Sequence, residues 1–371
     1  MKIKIRRLII DVLAFEYGKS FGYQEYIFNL LDYIYGHRNN IYYENIFIVC
    51  LEHQEKYFLK YEDKFLIKSY KCSSIWKRFL IQSYVPFDLR VTKQDLILYT
   101  ANYTSLFKKA SYILVIHDLL FKRKKLFPYT LMRLQRQFYL PISVNLANKI
   151  IAISKFTADD IVYFYRNSRV KIDVIYNYFN FKKYPELHNI LKENCFISVC
   201  SAAYHKNTIT VLKAFDKYNL KGGEYKLVLV GALKQKSESY LYYNQMSDMV
   251  KERIIIYDKI DNNLLALLYA QSKAYISASL FEGLGMPIVE AMYFNLPVIL
   301  SDYPVFREVS LNKGIYFNPL DVDDLVDKMF LIQHNQAFSS NYRNEILVMY
   351  SENNTSQKYI DLFNEIYNQT K

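Results

Sequence analysis

The stretch Ser277-Ala278-Ser279-Leu280-Phe281-Glu282-Gly283-Leu284-Gly285-Met286-Pro287-Ile288-Val289-Glu290-Ala291-Met292 carries the densest information in the chain. It follows an apolar run and opens an apolar-periodic one, so it reads as strand, glycine loop, then helix. Gly283 and Gly285 permit close backbone approach, and Pro287 suits the first helical positions. A helix N-terminus behind glycines presents unbonded N–H groups to an anion, as a diphosphate requires. Two carboxylates eight positions apart then fit distinct tasks. Glu282, in the loop, faces sugar hydroxyls, and Glu290, on the first helical turns, comes within reach of a ribose diol. The competing reading is a plain strand–loop–helix in which Glu290 complements the helix dipole.

Working outward, short β-rich runs alternate with longer helical ones, the pattern of parallel α/β layers. In the first half, Ile3–Leu13, Tyr42–Cys50, Asp95–Tyr99, Tyr112–Ile116 and Ile150–Ile153 read as strands, with helices over Tyr23–Tyr35 and Tyr129–Asn148. In the second half the predicted strands are Phe196–Cys200, Lys226–Val230, Ile254–Tyr257, Ala274–Ile276 and Pro297–Ser301. The helices there are Thr208–Tyr218, Leu264–Gln271, Pro287–Phe294 and Asp323–Gln333. A chain of 371 residues exceeds what one core supports, so two domains are expected. Their boundary falls near Val174–Tyr184, a segment without a Gly/Ser linker. In open parallel sheets ligands bind at the carboxyl ends of the strands, which directs attention to a cleft between the lobes.

The charge is uneven. Residues 1–180 hold 28 Lys+Arg against 15 Asp+Glu, whereas 181–371 are nearly balanced at 20 against 21. A basic first half implies a partner of its own, either nucleic acid or an anionic membrane surface. No recognised nucleic-acid motif accompanies the charge, so no nucleic-acid partner is expected. The 37 tyrosines suit sugars, interfaces or lipid head groups, or reflect a lineage bias in composition. Cys50, Cys72, Cys195 and Cys200 form no CxxC pair or zinc spacing, which fits a reducing cytoplasm. The N-terminus is basic then apolar, but Asp11 interrupts it, so it reads as a first strand instead of a signal peptide. No stretch approaches the length of a membrane span, so membrane contact is expected to be peripheral.

The 277–292 stretch resembles the Glu-x-x-x-x-x-x-x-Glu segment of glycosyltransferase family 4, retaining enzymes of the GT-B fold. The resemblance continues through Pro297-Val298-Ile299-Leu300-Ser301, Arg307-Glu308-Val309 and Asn318-Pro319, and also covers Val230-Gly231 and Leu264 to Tyr269. In the first half Ile116-His117-Asp118-Leu119, Ala152-Ile153-Ser154-Lys155-Phe156-Thr157 and Asn177 are similar to family segments. It implies an α/β chain with two Rossmann-like domains facing each other across a cleft. The expected parts are an acceptor domain over 1–178, a nucleotide-sugar donor domain over 179–350, and a helix over 351–371 packing back on the first. The implied roles are His117 and Glu282 at the reacting sugar, with Gly22, Lys206, Gly283, Leu284, Gly285 and Glu290 binding the donor. From residues alone, His117-Asp118 reads as a helix cap with a satisfied histidine, and it is the resemblance that turns it toward the donor sugar. Ser154 and Thr157 are candidate caps, with Thr157-x-x-Asp160 as a capping box, and stay outside the catalytic set.

Two departures stand out. The family's diphosphate-binding Arg falls on Ser201, five positions before Lys206; His205, Lys234 and Lys236 are the candidate replacements. The N-terminal glycine loop is thinned to Gly18-Lys19-Ser20-Phe21-Gly22, with Gly22 the best match. Asp321-Val322-Asp323 looks like a metal-holding pair, but acidic residues before an amphipathic segment favour a helix start, so neither metal nor other cofactor is expected. Lys122-Arg123-Lys124-Lys125, with Arg133 and Arg136 among aromatics, is either a solvated basic surface or a docking patch for anionic lipid. The expected activity is transfer of a sugar from a nucleotide diphosphate to a glycan acceptor, lipid-linked, in O-antigen or capsule synthesis. The expected location is the cytoplasm, peripheral at the inner face of the plasma membrane. The alternatives are a soluble glucan or disaccharide synthase of the same fold, and a non-catalytic sugar-nucleotide-binding partner.

Overall fold

The computed structural model describes residues 5–18, 21–72, 74–127, 131–166, 171–199, 201–231, 233–335 and 341–370. The chain divides into two compact units. The first comprises Met1–Lys122, Tyr129–Phe179 and Tyr350–Lys371, and the second Arg123–Pro128 and Asn180–Met349.

The first unit is built on a parallel sheet of β1 (Arg7–Asp11), β2 (Asn45–Leu51), β3 (Leu66–Tyr70), β4 (Leu96–Tyr99), β5 (Ser111–Ile116), β6 (Lys149–Ala152) and β7 (Ile172–Val174). The spatial order is β3-β2-β1-β4-β5-β6-β7. The central strands are continuous apolar runs because helices cover both faces, and every residue of β4 is buried. The edge strands β3 and β7 have no fully buried residue, so they lack the apolar run that marks a strand in sequence. The first strand is shorter than Ile3–Leu13 predicts, ending at Asp11, and Cys200 and Tyr129 lie outside the described residues.

The helices of this unit are α1 (Phe21–Gly36), α2 (Ile75–Asp88), α3 (Leu131–Leu146) and α4 (Lys155–Phe164). Ser74 caps α2 by accepting from the Lys77 N–H. Ser154 caps α4 by accepting from the Thr157 N–H, so the cap precedes the predicted Thr157–Asp160 box by three positions.

The second unit holds β8 (Cys195–Val199), β9 (Lys226–Val230), β10 (Ile254–Tyr257), β11 (Ala274–Ser277), β12 (Val298–Ser301) and β13 (Ile315–Phe317), in the order β10-β9-β8-β11-β12-β13. Its helices are α5 (Thr208–Leu220), α6 (Glu238–Gln245), α7 (Asp248–Lys251), α8 (Asn262–Gln271), α9 (Met286–Tyr293), α10 (Pro304–Val309), α11 (Val322–His334) and α12 (Arg343–Met349). Phe196, Phe215, Tyr218, Leu229, Ile276, Ile299 and Met329 are among the residues that fill its core. The last helix of the chain, α13 (Ser356–Gln369), belongs to the first unit, where Tyr359 OH meets Tyr26 OH at 2.9 Å and Tyr33 OH donates to Gln357 at 2.7 Å.

Both sheets share one plan. The strand order reverses between β1 and β4 in the first unit and between β8 and β11 in the second. Ligands of doubly wound sheets bind at the carboxyl ends of the strands flanking such a reversal. In the second unit the glycine loop leaves the end of β11, at that reversal.

Candidate functional site

The loop from β11 to α9 is shaped by its glycines. Gly285 is the N-cap of α9 and has φ +87°, the left-handed region. A Cβ there would lie 3.1 Å from Ile288 Cδ1 and 3.6 Å from the Phe306 ring, so both conformation and space call for glycine. Phe281 and Leu284 are buried and anchor the loop. The Arg123 guanidinium lies over the Phe281 ring, 5.6 Å from its centroid.

Glu282 faces the turn that follows β8. The Leu280 N–H donates to the His205 carbonyl at 2.7 Å, tying this loop to the 201–207 segment. Asn207, with φ 51°, is the N-cap of α5, and its side-chain amide donates to the Pro319 carbonyl at 3.1 Å. Lys206 Nζ consequently reaches Glu282 Oε1 at 2.6 Å, with side chains 25% and 15% exposed. The sequence reading gave these two residues separate ligand groups; the structure joins them as an ion pair. In such a pair the lysine presents its remaining protons to an anion while the carboxylate accepts from hydroxyls.

Glu290 lies one turn further on, buried. Tyr269 OH, from α8, donates to Oε2 at 2.9 Å, and Lys183 Nζ stands 3.5 Å from Oε1. Its carboxylate thus meets two side chains, Tyr269 and Lys183, from separate elements. Sequence reasoning missed Lys183 and gave Tyr269 no role. Tyr269 lies in a segment carried by resemblance, but Lys183 sits in an aromatic-rich stretch with no motif to mark it.

The cation positions are mixed. The Ser201 carbonyl accepts from Thr208 Oγ1 at 3.0 Å, so Ser201 serves the start of α5. Lys234 and Lys236 are exposed in the loop after β9. Arg307 is held by Asp302 in a two-pronged pair at 2.7 and 2.8 Å. Asp321 accepts from the N–H groups of Asp323 and Asp324 as the cap of α11, and Asp323 pairs with Lys217 at 2.6 Å. Among the described residues no group of three or more His, Cys, Asp or Glu side chains is arranged to hold a metal ion.

In the first unit, His117 directly follows β5. Its Nε2 lies 2.8 Å from the Thr100 carbonyl, a partner that makes Nε2 the protonated nitrogen of the neutral ring. Tyr26 and Tyr23 of α1 meet the ring edge-on at 4.8 and 5.3 Å. Burial lowers its pKa below the usual histidine value. The capping role predicted as an alternative falls to Asp118, which accepts from the Leu120 N–H at 2.9 Å. Gly22 is the second residue of α1, exposed, with open space where a Cβ would stand. Lys19 and Ser20 of that loop lie outside the described residues.

The basic run at 122–125 is not uniform. Lys122 lies over the Phe164 and Tyr165 rings at 5.4 and 5.1 Å, and burial lowers its pKa. Arg123 groups with the second unit, while Lys124 and Lys125 are exposed. Arg133 is buried within α3 and Arg136 partly so. No described helix is long and apolar enough to cross a membrane.

Comparison with known proteins bears on the second unit most directly. The family model for glycosyl transferases group 1 matches residues 180–347. The O-antigen chain mannosyltransferase RfbU of Salmonella typhimurium is 33% identical over 191 residues, covering 50% of this chain and 51% of that protein. The serotype-specific mannosyltransferase WbdA of Escherichia coli is 26% identical over 247 residues, 60% of this chain and 30% of that protein. The chain thus spans about half the length of the first relative and under a third of the second. Among solved structures, a sucrose-phosphate synthase from Thermosynechococcus elongatus superposes with a TM-score of 0.74 at 14% identity, covering 98% of this chain and 100% of that one. At that identity the likeness is one of fold: two parallel α/β sheets of the GT-B type. Residues 180–347 are thus similar to the glycosyl transferases group 1 family.

Proposed function

We propose that the protein is a glycosyltransferase that moves a sugar from a nucleotide diphosphate to a glycan acceptor in the synthesis of a surface polysaccharide. The observation that carries this reading is the junction of β11 and α9. There a glycine loop with Gly285 in the left-handed region, a Lys206–Glu282 ion pair and a buried Glu290 occur within a segment matched by the glycosyl transferases group 1 family. Lys206 and the backbone amides of Gly283, Leu284 and Gly285 take the diphosphate, Glu282 the donor sugar and Glu290 the ribose. His117, neutral and held by Thr100, is the first unit's residue for the reacting sugar, and Gly22 is assigned to the donor with less support because nothing crowds it.

Catalysis then rests on placement and on stabilising charge on the departing diphosphate. Transfer is retaining and needs no metal, since a lysine and amides receive the phosphates. Relatives named as an O-antigen chain mannosyltransferase and a serotype-specific mannosyltransferase make a nucleotide-activated mannose the first donor to try, with a lipid-linked O-antigen or capsule precursor as acceptor. Work on such an acceptor places the protein in the cytoplasm, peripheral at the inner face of the plasma membrane, with Lys124 and Lys125 as exposed basic contacts for anionic lipid. A thermal-shift screen of nucleotide sugars followed by an assay of donor hydrolysis tests the proposal. Stabilisation by one nucleotide sugar together with its slow hydrolysis supports a transferase; binding without turnover under any acceptor condition supports a non-catalytic binder.

A further inference from the structure

Glu290 is held from two directions by groups the family match does not explain. Tyr269, fully buried on α8, donates to Oε2 at 2.9 Å, and Lys183 stands 3.5 Å from Oε1. The side chains of Lys183 and Glu290 are only 16% and 9% exposed. Lys183 ends a single helical turn, Phe181–Lys183, whose start is capped by Asn180 accepting from the Lys182 N–H. That turn is fastened to the helix bearing Glu290: the Phe181 ring stacks on Tyr293 of α9 at 4.3 Å, nearly parallel at 17°. Lys183 Nζ also lies 4.9 Å from the centre of the buried Tyr184 ring.

A buried carboxylate is costly when ionised unless a cation or hydrogen-bond donors offset its lost hydration. A lysine within reach favours the ionised form, which only accepts hydrogen bonds. A carboxylate has roughly four acceptor sites, so it can be anchored by protein groups and still accept from a ligand. Anchors on both oxygens also fix the carboxylate plane, and a fixed plane selects among ligands by where their hydroxyls fall.

We infer that Lys183 is a positioning residue for the donor nucleotide: with Tyr269 it holds Glu290 ionised and oriented to accept from the two hydroxyls of a ribose, and so sets the preference for ribonucleoside over 2′-deoxyribonucleoside diphosphates. This rests on the reading that Glu290 takes the ribose.

The test is calorimetric titration of GDP, UDP, dGDP and dUDP into the full chain and into Lys183→Met, Lys183→Gln, Lys183→Arg and Glu290→Gln, with thermal unfolding of each. The Gln variant keeps a donor beside Glu290 should the Met variant not fold. Wild type should bind its preferred ribonucleotide about tenfold more tightly than the deoxy form, the effect of losing one hydrogen bond to a charged group. In Lys183→Met or Lys183→Gln that ratio should fall to about twofold or less, and Lys183→Arg should restore most of it. Neutral variants that keep the wild-type ratio, or that lose affinity for both forms equally without rescue by Arg, overturn the inference. A wild type that does not distinguish the two forms, or a Glu290→Gln variant that binds like wild type, overturns the ribose assignment itself and the role of Lys183 with it.

Discussion

The carboxyl ends of the two sheets are built from similar parts and handle them differently. In the second unit each acidic side chain singled out at the loop has a lysine: Lys206 for Glu282, Lys183 for Glu290. In the first unit Asp11, at the tip of β1, is buried, and burial raises its pKa from 3.8 to about 7. The Leu13 N–H, Gln82 and the Arg78 charge oppose that shift, but Arg78 is itself paired with Glu16 at 2.8 Å. The glycines differ likewise: Gly285 is required by conformation and crowding, and Gly22 by neither. The lesson is that the second unit has a charge-matched, pre-shaped loop suited to an anion and a polyol, while the first carries a carboxyl group in tension with its surroundings.

The largest effect that would sharpen this contrast comes from Asp11. Because its folded value is raised, the native protein binds the proton more tightly than the unfolded chain between 3.8 and about 7. Stability is therefore lost as pH rises through that window and levels off above it, by up to ~1.4 kcal/mol per pH unit. Asp11→Asn keeps the shape without the charge, so its melting temperature should gain on that of wild type progressively from pH 4 to about 7 and hold a constant offset above. Parallel curves for the two proteins would break the contrast at its strongest point.

A smaller effect separates the two glycines. Gly285→Ala forces an L-residue into the left-handed region, costing about 1–2 kcal/mol, and adds the contact with Ile288. It should lower both the melting temperature and nucleoside diphosphate affinity. Gly22→Ala places alanine in an exposed helical position and should stabilise by about 0.5–1 kcal/mol. Equal responses at the two sites, measured by denaturant unfolding, would remove the distinction.

What sequence conveyed of this contrast follows physical lines. The inner strand Lys226–Val230 was legible to the residue, because strands covered on both faces are apolar runs, and the edge strand Ile254–Tyr257 was legible because it is apolar throughout although only Ile254 is buried. The edge strands β3, β7 and β13 were not, since Lys68 and Ser69 break the apolar run of β3 and the other two span only three residues each. Helix α2 escaped notice although Ser74 caps it, since its apolar positions are interrupted by exposed Leu80, Tyr84 and Phe87. At the site, motif residues that are neighbours along the chain were readable. The partners that hold them, Lys183 and Tyr269, come from separate elements, and no local pattern announces a pairing made only by folding.

The smallest expected effect is none. If Lys206 and loop amides receive the diphosphate, chelation of divalent ions should leave nucleoside diphosphate affinity unchanged within about twofold, well under the loss of one charged hydrogen bond. Abolished binding, restored by magnesium or manganese, would return Asp321 and Asp323 to consideration despite their cap and lysine contacts.

The central claim is that the β11–α9 junction binds the donor nucleotide, and calorimetry on Glu290→Gln tests it most directly. The substitution preserves shape and a hydrogen-bonding group while removing the charge. The account predicts that the nucleoside diphosphate that stabilises wild type binds the variant about tenfold or more weakly, at a melting temperature that keeps the variant folded in the assay. Unchanged affinity in a folded variant would contradict it.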